Sequence, residues 1–308
     1  MPAHLIGELA ALGAAVLWTT CSILFASAGR RIGALSVNAF RIVIAVILLG
    51  AAHLLIQGAL WPAANRAQWL YLSLSGLVGL ALGDFCYFRS LVLIGPRRGV
   101  LMMSLAPVFA AVAAYLVLGE ILRPWAIVGV IVTLAGIVIV ILESEGASGE
   151  AIVARQHKLA GVLLGLGGAA GQGIGLVISK YGMINAASDP TAPLDPLGAT
   201  LIRMLASAAA LWIGIAFSGR GRRIVRSYRD LGAVLRTSGG AFTGPFLGVW
   251  LSMVAVRYTV AGVAQTLMTL MPVLVIPYVR IVYGQRTSHR GIFGACVAVV
   301  GVAVLLLF

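Results

Sequence analysis

Apolar residues in this chain come in long runs that lack the strict polar alternation of a half-buried strand. Ten such runs can be traced, at 5–29, 34–57, 68–88, 98–118, 125–142, 159–180, 198–217, 238–256, 261–283 and 291–308. Crossing the hydrocarbon core of a bilayer takes about 20 apolar residues per helix, so the pattern predicts ten transmembrane helices. Barrel strands would place a polar residue at every second position, and a helix in lipid satisfies its own backbone hydrogen bonds. The expected fold class is therefore an all-α membrane protein. The first run starts at residue 5 with no basic segment before it and no cleavage site of small residues after it. It reads as a membrane helix and not as a removed signal.

The runs repeat. Residues 82–142 overlay residues 247–307 without a gap at a constant offset of 165, placing Leu82-Gly83 on Leu247-Gly248, Pro107-Val108 on Pro272-Val273, Gly119 on Gly284, Gly129 on Gly294 and Gly136 on Gly301. Earlier segments align at offsets of 154, with Leu12-Gly13 on Leu166-Gly167, and 162, with Arg41 on Arg203. Five helices per copy is an odd number, so the second copy must enter the membrane from the opposite face. The expectation is two inverted five-helix repeats around a central cavity, at 1–145 and 159–308, joined by a cytoplasmic linker at 146–158. Internal repeats of this kind mark secondary transporters, whose site lies where the copies meet.

Composition narrows the class further. With 61% hydrophobic residues, 10% charged residues and a mean hydropathy of +1.05, most apolar surface must face lipid. The net charge of +13 is a matter of topology. The connections after the odd-numbered runs carry fifteen Lys and Arg and those after the even-numbered runs four, which places the basic loops in the cytoplasm and both termini outside. The arginines from Arg220 to Arg236 then face anionic headgroups, and no nucleic-acid partner is expected. The expected partners are the lipid bilayer and a small-molecule substrate, in a monomer or weak homodimer of a bacterial inner membrane.

Charges inside the runs are costly and mark pathways or pairs. Arg41 and Asp84 fall at similar depth and form a candidate ion pair, read either as a gate or coupling contact or as a structural tie. Arg203 is the repeat mate of Arg41, but Val249 stands where its acid would be, leaving Asp189 or Asp195 as substitutes. Arg280 lies near an end of its run, where snorkelling would also account for it. Pro107 and Pro272 mark matching helix breaks, and matching breaks point to a transport site. Around them stand Met103, Gln265 and Thr269, while Gln172 is the repeat mate of Trp18. Trp18, Met103, Gln172, Trp250, Gln265 and Thr269 are the candidate substrate-binding residues. Gly167, Gly171 and Gly175 share one helix face, for close packing or for bending. The cysteines are single, the histidines are scattered, and no phosphate loop or ligand spacing appears. Enzymatic chemistry, cofactors and metals are therefore not expected.

Pro107, the apolar run after it, Leu118-Gly119-Glu120, Gly129 and Gly136 resemble the EamA repeat of the drug/metabolite transporter superfamily. Pro272, Tyr283-Gly284-Gln285, Gly294 and Gly301 resemble it again. The resemblance covers nearly the whole chain and implies ten helices, inverted repeats, a central cavity and alternating access. It further implies export of small metabolites, with neutral or aromatic amino acids foremost. Small multidrug relatives carry a coupling carboxylate in helix 1, where this chain reads Val16-Leu17-Trp18-Thr19-Thr20. Downhill export therefore stands beside a proton-coupled drug or cation exporter. An intramembrane enzyme or a non-transporting scaffold are the readings from other classes.

Overall fold

A computed structural model describes residues 2–94, 99, 102–143, 155–187, 193–271, 273–274 and 289–307. Where structure is assigned among these residues, it is helix and turn. The first helix, α1, spans Ala3–Ile32 and α2 spans Ala34–Gln57. Helix α3 (Arg66–Ser75) continues through a π-helical segment, Gly76–Gly83, into α4 (Asp84–Ile94). There follow α5 (Ala106–Leu118), α6 (Pro124–Glu143), α7 (Arg155–Ile184), α8 (Pro196–Phe217) and the short α9 (Gly221–Ser227). Helix α10 (Leu231–Ala241) passes through a second π segment, Phe242–Gly248, into α11 (Val249–Tyr258), followed by α12 (Ala261–Met268) and α13 (His289–Leu307).

Local chemistry sets these boundaries. Asn65 and Gln68 form a reciprocal capping box that starts α3, at 2.8 and 3.0 Å. Asp195 caps α8 by accepting from the Gly198 amide at 2.9 Å, with Pro196 as the first helical residue. Gly58 and Gly119 end α2 and α5 in the left-handed conformation that favours glycine.

Six helices of the described residues are long and apolar enough to cross a membrane, and three more apolar helices are shorter. Among the described residues, not every one of the ten runs forms a full-length helix. The fourth run holds a turn at residues 104–105, so that α5 covers only its second part. The ninth shows α12 followed by a turn at 269–270, and its remainder lies largely outside the described residues.

The helices pack in matching pairs. Helix α7 lies antiparallel on the α3–α4 rod, since residue numbers rise on one as they fall on the other: Gly182 meets Leu72, Gly175 meets Gly79, Gly171 meets Gly83 and Gly161 meets Ile94. Ser75 and Ser90 donate across this seam to the Gly175 and Gly161 carbonyls at 2.6 and 2.8 Å. Helix α1 lies in the same way on the α10–α11 rod, where Gly240, Gly244 and Gly248 receive Phe25, Cys21 and Trp18. Helix α2 packs on α8, α5 on α12, and α6 on α13. The last pair is antiparallel, with Gly136 against Ala298 and Gly301 against Thr133. Small residues allow backbones this near, which is how helices associate where lipid removes the hydrophobic drive. A continuous apolar core then joins α1, α8, α11 and α12 through Ala14, Ile202, Met253 and Leu267.

Candidate functional site

Two irregularities occur at the same place in each half. The π segment Gly76–Gly83, shifted by 165 residues, falls on 241–248, and the second π segment is Phe242–Gly248. Such segments insert extra backbone into a helix, re-aim the side chains after it and recur at functional sites. Asp84 is the first residue past one, and Val249 the first past the other. The turns also match. Leu105 N donates to Met102 O and Val108 N to Leu105 O at 3.1 and 3.0 Å; Leu270 N donates to Leu267 O and Val273 N to Leu270 O at 3.3 and 2.9 Å. Pro107 sits in the first turn of α5, where its missing N–H is tolerated, and it begins a helix without kinking one. Pro272 lies outside the described residues, as do Asp189 and Arg280.

The first π segment delivers Asp84 into a polar cluster. Arg41 of α2 donates from Nη2 to Asp84 Oδ2 at 2.7 Å, and Gln172 of α7 donates from Nε2 to Asp84 Oδ1 at 2.8 Å. The Gln172 amide also reaches the Gly79 carbonyl, inside the π segment, at 3.3 Å. Asn38 holds the Arg41 Nε at 2.6 Å, and the rings of Phe25 and Phe88 lie 5.6 and 5.9 Å from the guanidinium carbon. Side chains of Arg41 and Asp84 are 17% and 15% exposed. At that burial the surroundings screen the pair poorly, so loss of one partner is costly. The structure thus joins both halves of the chain at Asp84 and shows Gln172 as a partner of that carboxylate.

Arg203 of α8 has a different environment. Its residue is 3% exposed, its Nη1 contacts the Met253 sulfur at 3.0 Å, and its Nε is buried with no hydrogen-bond partner. A Cβ on Gly79 would lie 3.6 Å from Arg203 Nη2, which places the guanidinium beside the π segment. Asp195, expected as a substitute acid, is instead occupied as the cap of α8. An aspartate followed by a proline just before an apolar run is a helix-start signal, and that signal accounts for Asp195. Glu8, near the start of α1, is 5% exposed, and among the described residues its Oε2 has no hydrogen-bond partner.

The remaining expected residues divide. Trp18 lies against the Gly248 backbone and shares an apolar cluster with Phe246 and Trp250, whose rings are 6.0 Å apart. Met103 is half-buried before the turn at 104–105, and Gln265 is 7% exposed on α12, its carbonyl accepting from the Thr269 hydroxyl at 2.7 Å. No hydrogen bond or ion pair among the described residues connects Met103, Gln265 or Thr269 to the Arg41–Asp84–Gln172 cluster. A cavity of about 280 Å³ lies elsewhere, at the helix ends opposite the basic loops, lined by His53, Trp61, Gln68 and Asp195. No group of three metal-ligating side chains is found among the described residues.

One constellation had no sequence signal beyond its glycine–glutamate motif. At the ends opposite the basic loops, Lys180 of α7 forms an ion pair with Glu120, which follows α5, and donates to the Thr259 carbonyl at 2.7 Å. Glu120 Oε2 also accepts from the Ala261 amide at 2.9 Å. Three segments are fastened there by one carboxylate and one ammonium. At the basic end, the more exposed pair Arg31–Asp230 ties the halves at 2.9 Å.

Helices of membrane-spanning length, packed through glycine seams around buried charges, define a multi-pass membrane protein. The chain belongs to the EamA-like transporter family, whose profile matches residues 5–142 and 159–307, and hence to the membrane transporters of the drug/metabolite superfamily. Comparison with curated proteins gives no match. Among 29 solved chains that match, one crystal structure superposes on 97% of this chain and 95% of its own length, with a TM-score of 0.75 and 20% identity. At that identity the likeness establishes a shared fold.

Proposed function

We propose that the protein is a secondary transporter that exports small organic solutes, foremost neutral and aromatic amino acids, by alternating access between two inverted five-helix repeats. The observation that carries this reading is the pairing of irregularities. A π segment and a turn recur in each half at the same offset, and the first π segment borders buried polar groups drawn from both halves. Paired helix interruptions at one depth are what a site shared by two repeats requires. The basic loops would face the cytoplasm of a bacterial cell, with both termini outside.

The mix of indole, amide and thioether groups at Trp18, Gln172, Trp250 and Met103 suits a neutral or zwitterionic solute. A phosphorylated one would need several converging cations. Asp84 is the anion that balances Arg41, so a proton arriving there would leave Arg41 without its counter-charge. That favours downhill export over proton exchange at Asp84.

Purified protein in liposomes tests the proposal. Saturable flux of phenylalanine, leucine and related neutral amino acids is expected without a pH gradient. It should fall in Trp18→Ala and Gln172→Ala at matched reconstitution. Absence of saturable flux for the whole panel, or unaltered flux in both variants, would reject it.

A further inference from the structure

We propose that Arg203 is the docking point for a carboxylate carried by the transported solute. This rests on the transport reading above and adds to it the group that is recognised. The inference begins from a broken symmetry. Arg41 and Arg203 occupy matching positions in the two halves, but Arg41 has Asp84 and Arg203 has only Val249 at the equivalent place. The repeat mate of Gln172, which completes the Asp84 cluster, is Trp18. The first set, Arg41, Asp84 and Gln172, therefore holds a cation, an anion and an amide, while the matching set, Arg203, Val249 and Trp18, holds a cation and apolar groups.

The lone cation is not placed where water can serve it. Arg203 is 3% exposed, and among the described residues its Nε has no partner and its side-chain hydrogen bond goes to the thioether of Met253. The carboxylate whose field reaches it is Asp84, both of whose oxygens are already occupied. Gly79, beside the guanidinium, stands near the midpoint of the rod 66–94, about 7 Å of helix rise from Asp84. Among the described residues, two arginines and one aspartate then leave one positive charge without a counter-charge beside the rod's midpoint. Buried charges are tolerated when paired, and arginine presents a planar fork that fits a carboxylate with two parallel hydrogen bonds. A carboxylate arriving with the solute completes this half as Asp84 completes the other. The Gln172 amide, hydrogen-bonded to Gly79 on the same stretch of rod, stands close to that position.

The test uses the full chain in nanodiscs and reads ligand-induced thermal stabilisation with phenylalanine, leucine, their methyl esters and phenylacetate. The acids should stabilise the native protein, and the esters should bind at least about tenfold more weakly, the worth of one charge-assisted hydrogen bond. Arg203→Met should lose the preference for acid over ester while the empty variant melts no lower than the native protein. Arg203→Lys keeps the charge without the fork and should retain part of the preference, which controls for folding. If phenylacetate acts through Arg203 while neither amino acid binds, the carboxylate site stands and the amino-acid reading fails. Equal stabilisation by acids and esters, acid binding unchanged in Arg203→Met, or saturation of the site by chloride alone without competition from any acid would each overturn the proposal.

Discussion

Removing one partner of the Arg41–Asp84 pair should be far more damaging than removing both. The contact is 2.7 Å long and its side chains are 17% and 15% exposed, so each charge has given up most of its water for the other. Arg41→Met leaves Asp84 facing only the Gln172 amide, and Asp84→Leu leaves Arg41 with Asn38 and two ring faces. Each single change should destabilise by about 3–5 kcal/mol, the usual result of stranding a buried charge. The double variant strands neither. It loses the Gln172 bond to Asp84, worth about 1 kcal/mol, while Gln172 keeps the Gly79 carbonyl. It should therefore lie within about 1–2 kcal/mol of the native protein, far from the sum of the singles. Unfolding in mixed micelles, followed by tryptophan fluorescence, measures all four proteins. Single losses below about 1 kcal/mol, or a double variant equal to the sum of the singles, would refute the reasoning. Flux through the stable double variant then separates the roles: a pair that belongs to the pathway leaves a folded protein with impaired export, and a purely structural tie leaves export intact.

The glycine seam gives a contrast. A Cβ on Gly171 would lie 2.8 Å from Gly83 Cα, so Gly171→Ala should cost about 1–3 kcal/mol, whereas Gly29→Ala meets nothing within 4 Å and should be neutral or stabilising by up to about 1 kcal/mol in the same unfolding assay. Lys180→Met should destabilise by about 3 kcal/mol, because Glu120 is left without its cation, and Glu120→Gln in the same chain should restore much of the loss. Asp230 is held below the usual carboxylate value, first by the hydrogen bond from Arg31 and then by that from the Ala233 amide. Its contribution is present above the unfolded value and fades as pH falls through the lower folded one. Protection of the Ala233 amide, taken relative to its intrinsic exchange rate, should therefore fall only in acid, and equal protection on both sides of that window would count against the contact.

The sequence made some of this legible and hid the rest for physical reasons. Apolar runs locate helices because lipid demands it, and Asp195-Pro196 could have been read as a helix start. The offset of 165 marked Leu82-Gly83 and Leu247-Gly248, and both pairs close a π segment. The π segments themselves have no residue signature, since any run of apolar residues and glycines can take the extra residue. Arg41 and Asp84 share a depth that can be counted along two helices, and the structure joins them. That Gln172 turns toward Asp84 depends on the rotation of α7, which its glycines permit on more than one face. The solitude of Arg203 was visible as Val249, but its burial against Met253 required three helices in place. Glu120 and Lys180 were hidden for the same reason, being 60 residues apart in sequence.

The central claim is that one site is exposed alternately at the two ends. Spin labels placed at Arg89 and Leu235, near the basic ends of the two rods, and in a second sample at Arg66 and Tyr258, near their opposite ends, report both mouths by pulsed dipolar spectroscopy. These are exposed positions on the two rods that carry the π segments. With phenylalanine titrated into nanodiscs, one distance should shorten as the other lengthens, since access at the two ends is mutually exclusive. Distances that stay fixed at both ends, or that widen together as in a channel, would contradict it.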